Sequence, residues 1–367
     1  MPTANCLHYA TQCFEGMKLY RSGADGRLRL FRPARNAARM RMSCSRIALP
    51  DFEPDALEAL IKKLCAVDGG RWLPKERGDG FLYIRPAMIG SDPALGVNKP
   101  KEALLYVILC VFPALDVPGV LATGAPQAAA PPPSQQANGE GNASLTANGV
   151  ALPMRPRGRG MRLLASPESE IRAWPGGFGF AKLGANYGPT LEATGAARVS
   201  GYDQVLWLFG DAAEVTEAGA ANFFVVWRGK ESGRLELVTA PLDSRIILEG
   251  VTRASVLDLA RERLTVKENV AGLEPVDVVE RTLTIHEILD AYTEGRLIEA
   301  FAAGTAFFIA PVGEIHFRGT DIEVPLAEGN SGSYAKNIKD WLKDIMWGRV
   351  EHEWGVVVPD EGVPGVV

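Results

Sequence analysis

Residues 123–150 hold seven alanines, four prolines, no aromatic residue and a single charge, Glu140. A stretch of this kind cannot bury enough apolar surface to offset its chain entropy, so it predicts a disordered segment between two folded parts. The chain then divides into a front part, 1–120, a loop rich in Ala, Pro and Gly, 121–160, and a larger back part, 161–367. The loop runs out in Arg155, Arg157, Arg159 and Arg162, read as a solvated flank, with a docking patch for a phosphate or an acidic partner as the competing reading.

Both flanks are rich enough in apolar residues to build a core: 47% of the 367 residues are hydrophobic and 23% charged. Lys and Arg number 39 against 44 Asp and Glu, a formal charge of -5, which gives no general attraction to nucleic acid or anionic lipid. The longest apolar run, Ala103 to Phe112, is half of the roughly 20 residues that a membrane helix needs. Neither nucleic acid nor membrane is therefore an expected partner. Cys6, Cys13, Cys44, Cys65 and Cys110 are odd in number and lack C-x-x-C spacing, which predicts a reducing compartment. The four histidines show no metal-ligand spacing, so no metal is expected. The first residues carry no apolar h-region and no Arg-rich amphipathic pattern, which predicts the cytoplasm, with mitochondria as the alternative address.

Strand-like and helix-like segments alternate on both sides of the loop. In front, Leu7 to Phe14, Leu28 to Phe31, Phe81 to Ile84 and Leu104 to Phe112 read as strands. Arg35 to Ile47 and Pro54 to Val67 read as helices, with Ala37, Met40 and Cys44 on one stripe and Leu57, Leu60, Ile61 and Leu64 on another. Behind it come strands at Gln204 to Phe209, Asn222 to Trp227 and Leu235 to Thr239, and a strand pair at Ile298 to Ile309 and Val312 to Phe317. Helices are expected at Val251 to Leu264, Ile285 to Tyr292 and Tyr334 to Trp347. The pattern predicts two α+β domains.

Lys182 sits in Phe178-Gly-Phe-Ala-Lys-Leu-Gly-Ala-Asn-Tyr-Gly188, walled by small and aromatic residues. Poor solvation lowers an amine's pKa and makes it a nucleophile and base; a surface lysine beside a Gly-rich turn is the competing reading. Gly250-Val251-Thr252 opens a helix, and its free N–H groups suit a phosphate, although many helices begin this way without a ligand. Ala303-Gly304-Thr305-Ala306 forms either a second anion-binding lip or an ordinary turn. Glu217, followed by small residues, could approach a ring nitrogen or serve a turn.

The blocks HYATQCFEGMKLYR, LFRPARNAARM, FLYIRPAMIG, AKLGANYGPT, VTEAGAANFFVVW, EGVTRASVLDLAR, FAAGTAFFIAPVGEI and GRVEHEW, in this order, resemble the branched-chain amino acid aminotransferases. The resemblance implies a two-domain, α+β class IV aminotransferase (fold type IV) with a small and a large domain, the cofactor pyridoxal 5'-phosphate, and a homodimer. It implies that Lys182 forms the Schiff base, that Glu217 pairs with the pyridine nitrogen with Asn222 in support, and that Tyr187 hydrogen-bonds the phenolic oxygen. Arg39, Val251, Thr252 and Thr305 would grip the phosphate. Tyr9, Phe14 and Tyr83 would line the substrate pocket, Arg85 would meet the distal carboxylate of glutamate, Thr305 and Ala306 would take the α-carboxylate, and Arg172 would close the site. The implied reaction moves the amino group of leucine, isoleucine or valine to 2-oxoglutarate.

The chain departs from the family pattern in places. Family members carry some tens of residues before the HY block, and here almost none precede it, so a weakly active or non-catalytic paralogue stands as the alternative, as does retuning to another apolar amino acid. Ala220 replaces a common threonine. Arg245 and Glu249 stand where glycine and proline are usual, with Arg253 expected to offset Glu249. Phe307 and Ala310 occupy the positions of the redox C-x-x-C of mammalian relatives.

Overall fold

Pro33 and Pro54 each open a helix, where their fixed φ is already helical and their missing N–H costs nothing. In the computed structural model, which describes residues 2–77, 80–93, 95–111, 160–269 and 271–361, these helices are α2 (Pro33–Arg46) and α3 (Pro54–Trp72). The proposed loop 121–160 lies outside the described residues apart from Gly160. Upstream is the short α1 (Asn5–Tyr9), where a strand from Leu7 was expected. Ala10 ends it in the left-handed region (φ 51), and Leu7 is exposed, so the apolar letters there do not mark a buried face.

The first sheet is antiparallel and contains β1 (Gln12–Phe14), β2 (Met17–Arg21), β3 (Leu28–Phe31), β4 (Phe81–Gly90) and β5 (Ala103–Val111). β1 and β2 lie end to end along one side of β4, and β5 lies along the other. Helices α2 and α3 cover it, packing Ala37, Met40 and Cys44 with Leu57, Ile61 and Cys65 against Leu19, Leu28, Leu30 and Leu82. The buried stripe of α3 therefore runs 57, 61, 65, while Leu60 faces solvent. The chain's far end returns as β15 (Gly355–Val358), which pairs with β3, so the 161–367 segment contributes to both sheets.

The second sheet holds β6 (Met161–Ala165), β7 (Gln204–Phe209), β8 (Glu214–Ala218), β9 (Ala221–Arg228), β10 (Leu235–Thr239), β11 (Val276–Glu280), β12 (Leu297–Gly304), β13 (Phe308–Phe317) and β14 (Thr320–Glu323). Six of them close on themselves in the order β9-β12-β13-β6-β7-β8, because β8 also pairs with β9. The two faces of β9 serve different cores, as the period of two requires. Phe223, Val225 and Trp227 pack with α6 (Ile285–Thr293), while Phe224 and Val226 pack with α5 (Val251–Arg263) and α7 (Ser333–Met346). Tyr20 and Phe31 of the first sheet join that second core, which binds the two halves together. The remaining helix, α4 (Leu191–Val199), packs Ala193 and Ala197 on Trp207.

Candidate active site

The strand β1 and the Lys182 segment meet edge to edge. The amide of Phe14 donates to the Lys182 carbonyl (3.1 Å), Cys13 bridges Leu183, and the Lys182 amide donates to the Ser43 hydroxyl (2.9 Å). Ala181 and Leu183 are buried in the first sheet's core, so the half-buried Lys182 side chain projects away from it. Its Nζ donates to the Tyr187 hydroxyl (3.2 Å) and stands 5.0 Å from the centre of the Phe14 ring. Phe14 and Tyr187 lie 5.2 Å apart, tilted. The Arg85 guanidinium covers Phe14 (4.6 Å) and donates to the Tyr83 hydroxyl (2.7 Å). Gly16 has to be glycine, because a Cβ there would come within 2.5 Å of that hydroxyl. The structure thus brings Phe14, Tyr83, Arg85, Lys182 and Tyr187 together. It does not bring Tyr9 to them by any hydrogen bond or ring contact: the Tyr9 hydroxyl donates to the Leu95 carbonyl.

Glu217, on β8 where the ring closes, is 2% exposed. Its Oε1 accepts from the Leu248 amide (3.0 Å) and from the Asn222 side chain (3.2 Å). Its Oε2 is 2.8 Å from Arg172 Nη2, an ion pair whose angle leaves this oxygen without a hydrogen bond. Arg172 is therefore the counter-ion of Glu217 and also donates to the Ile246 carbonyl (3.3 Å), a role the sequence did not show. Asn222 also donates to the Leu248 carbonyl (2.9 Å) and crowds Gly250, where a Cβ would come within 2.1 Å of its Oδ1. Gly250 leads into Val251 and Thr252, the first residues of α5, whose N–H groups lack a side-chain cap.

Arg39 joins the two halves at this helix start. It donates to both oxygens of Glu15 (2.7 and 2.8 Å) and to the Glu249 carbonyl (2.8 Å). Burial pushes the Glu15 carboxyl up, and Arg39 beside it more than reverses this, holding it below the usual carboxylate range with help from Lys182 and Asn36. Glu15 was missed by the sequence reading; the signal was an acid set between Phe14 and Gly16, in the link from β1 to β2. Thr305 and Ala306 form the β12–β13 turn, which docks on β2: Thr305 donates to the Gly16 carbonyl (3.4 Å), and buried Lys18 donates to the Ala306 carbonyl (2.7 Å). Arg253 does not offset Glu249 as expected, since it pairs with Glu280 (2.7 Å). The Glu249 side chain is exposed, where water screens its charge. Among the described residues no cluster could hold a metal ion.

An amine beside a phenol, a buried carboxylate and an uncapped helix start are the groups a phosphorylated pyridine aldehyde needs. The amino-transferase class IV family matches residues 165–315, which sets the class. The chain is 39% identical over 357 residues to the mitochondrial branched-chain-amino-acid aminotransferase of Schizosaccharomyces pombe, covering 97% of this chain and 72% of that one. It is 40% identical over 362 residues to the cytosolic enzyme of Saccharomyces cerevisiae, covering 98% and 83%. The chain belongs to the branched-chain-amino-acid aminotransferase family. The fold is shared with the branched-chain amino acid aminotransferase of Thermobaculum terrenum in its PLP form (TM-score 0.67, 22% identity, 98% and 92% covered). The similar enzymes include both cytosolic and mitochondrial forms, and among the described residues no helix is long and apolar enough to cross a membrane.

Proposed function

We propose that this chain transfers the amino group of leucine, isoleucine or valine to 2-oxoglutarate, with pyridoxal 5'-phosphate held on Lys182. The observation that carries the reading is the pairing of the Lys182 amine with Tyr187, together with the buried Glu217 carboxylate, whose Oε1 accepts two hydrogen bonds and whose Oε2 is ion-paired with Arg172. When bound, the cofactor supplies an electron sink for the carbanion left when a Cα proton departs. Glu217, ion-paired with Arg172, would accept from the pyridine nitrogen, with Asn222 fixing its orientation. Tyr187 would face the phenolic oxygen. Val251, Thr252, Thr305 and Arg39 would hold the phosphate; Arg39 reaches there through the Glu249 carbonyl at the helix start.

Lys182 Nζ would be the base that moves the proton from Cα, with the Phe14 ring beside that amine. Phe14 and Tyr83 present the apolar wall for a branched side chain, and Arg85 reads the distal carboxylate of 2-oxoglutarate by a charge-assisted bond. Thr305 and Ala306 would take the α-carboxylate. Tyr9 would belong to a pocket completed by a second copy of the chain, since we expect a homodimer; light scattering tests that assembly. The reading requires a yellow protein that converts leucine and 2-oxoglutarate to glutamate. A colourless protein without turnover would instead support the non-catalytic alternative.

A further inference from the structure

Two cysteines that the proposed reaction does not use lie in contact directly behind it. Cys13 and Cys44 are 1% and 0% exposed, with their sulfurs 3.0 Å apart and Met88 Sδ 3.4 Å from Cys44. Cys13 lies on β1 beside Phe14, and Cys44 lies on α2 beside Ser43. Phe14 faces the Lys182 amine, and Ser43 accepts the Lys182 amide, so both anchors of the active lysine sit one residue from a thiol. Among the described cysteines, Cys6, Cys65 and Cys110 make no such contact.

We propose that Cys13 and Cys44 form a reversible disulfide when the enzyme meets a hydroperoxide, and that this cross-link lowers turnover. Closing the bond draws the sulfurs about 1 Å nearer, to the roughly 2.05 Å of a disulfide, pulling β1 toward α2 and shifting Phe14. Access comes through β1, which is three residues long, pairs with β4 over those three and meets the Lys182 segment by one bridge and one backbone hydrogen bond. So short a strand opens locally at lower cost than the long strands of its sheet.

In the first step Cys44 sulfur attacks the peroxide: an S–O bond forms, the O–O bond breaks and one water leaves, giving a sulfenic acid. In the second, Cys13 sulfur attacks that sulfur: the S–S bond forms, the S–O bond breaks, and a second water leaves with the Cys13 proton. The two thiols lose two electrons and two protons, and the hydroperoxide is reduced to two waters (for an alkyl hydroperoxide, to an alcohol and a water). The hydrogen bond with Cys44, together with burial, pushes the Cys13 thiol far above its ordinary range, which fits Cys13 as the partner that keeps its proton until the second step.

The loss of turnover rests on the aminotransferase reading, whereas the cross-link does not, so the experiment measures them separately. Holoenzyme treated with hydrogen peroxide and digested without reductant should yield a peptide pair joined through Cys13 and Cys44, lighter by two hydrogens and separated by dithiothreitol. Turnover of leucine with 2-oxoglutarate should fall in step with that peptide, by about tenfold for displaced catalytic geometry, and return on reduction. Cys13→Ser and Cys44→Ala enzymes should keep their basal rate and resist the oxidant. Both thiols still open to alkylation after treatment, a cross-link without loss of rate, or equal loss in wild type and variants would each overturn the proposal. The peptide map is read on the unaltered chain and stands even where a variant folds poorly.

Discussion

The closed ring and the open sheet contribute opposite kinds of group to one site. On the ring, Glu217 is sealed in, and Arg172, Asn222 and the Leu248 amide all constrain its carboxylate. On the open sheet, Phe14, Tyr83 and Arg85 are half-buried and meet through ring faces and the hydrogen bonds that Arg85 donates to the Tyr83 hydroxyl. A ladder without a free edge suits a charge that must stay fixed, and an open sheet suits surfaces that admit side chains of different shape. On the function proposed above, the difference separates cofactor chemistry from substrate choice, and variants on each side should divide the same way.

Lys182 stands where the two regions meet, and Lys182→Ala should abolish transamination and the visible absorption of the bound cofactor; retained turnover would sink the assignment. On the ring, Glu217→Gln leaves Arg172 buried opposite a neutral amide. It should lower turnover about hundredfold and destabilise the fold by about 3 kcal/mol in denaturant unfolding.

The ring also holds a pH-dependent group. Glu299 on β12 accepts from the Tyr334 and Ala335 amides at the start of α7, yet burial pushes it up to about 7, the two amides offsetting only part. The folded state therefore binds this proton more tightly than the unfolded chain does. The stability due to Glu299 is complete below the ordinary value of 4.5 and is lost as pH rises through about 7, to the extent of about 3 kcal/mol. Glu299→Gln should remove that slope; identical pH profiles for the two proteins would refute it.

Effects on the open sheet should be smaller and confined to substrate. Arg85→Ala should raise KM for 2-oxoglutarate about tenfold, the worth of one charge-assisted bond, with little change for leucine. An equal rise for both substrates would break the division. Least of all is expected from Arg245→Gly. Arg245 holds φ 58, a strained position for a side chain, but stacks on Phe180 at 3.9 Å. Relief of strain, loss of stacking and added chain freedom nearly cancel, leaving the change within about 1 kcal/mol.

The elements with strong periodicity were legible in the sequence, and those that depend on distant partners were not. Tyr334, Ile338 and Ile345 point inward on α7 as their spacing requires, and β7, β10 and α5 fall where the pattern puts them. The strand pair near 300 is displaced, because the turn occupies Thr305 to Phe307 rather than Ala310 and Pro311. Apolar letters on both sides of that turn hide it. Lys182, Tyr187 and Glu217 could be named from motifs. Arg172 against Glu217, Glu15 against Arg39 and Ser43 beneath Lys182 could not, since each joins residues from different elements through polar contacts that leave no pattern in the sequence. The ring was equally hidden, for although β8 and β9 join through the two-residue turn Gly219-Ala220, its closure depends on the pairing of the distant strands β6 and β13.

The return of β15 has a consequence for the order in which the molecule is made. Val356 pairs with Leu30, and buried Arg21 meets Asp360 at 2.9 Å, so the first sheet takes a strand from a stretch synthesised after every strand of the ring. A ribosome delivers the front strands long before their neighbour exists, and the outer edge of β3 waits unpaired while the ring is built. The half that emerges first is therefore finished last, which gives a nascent chain a reason to need protection at Leu28–Phe31 until its closing strand arrives.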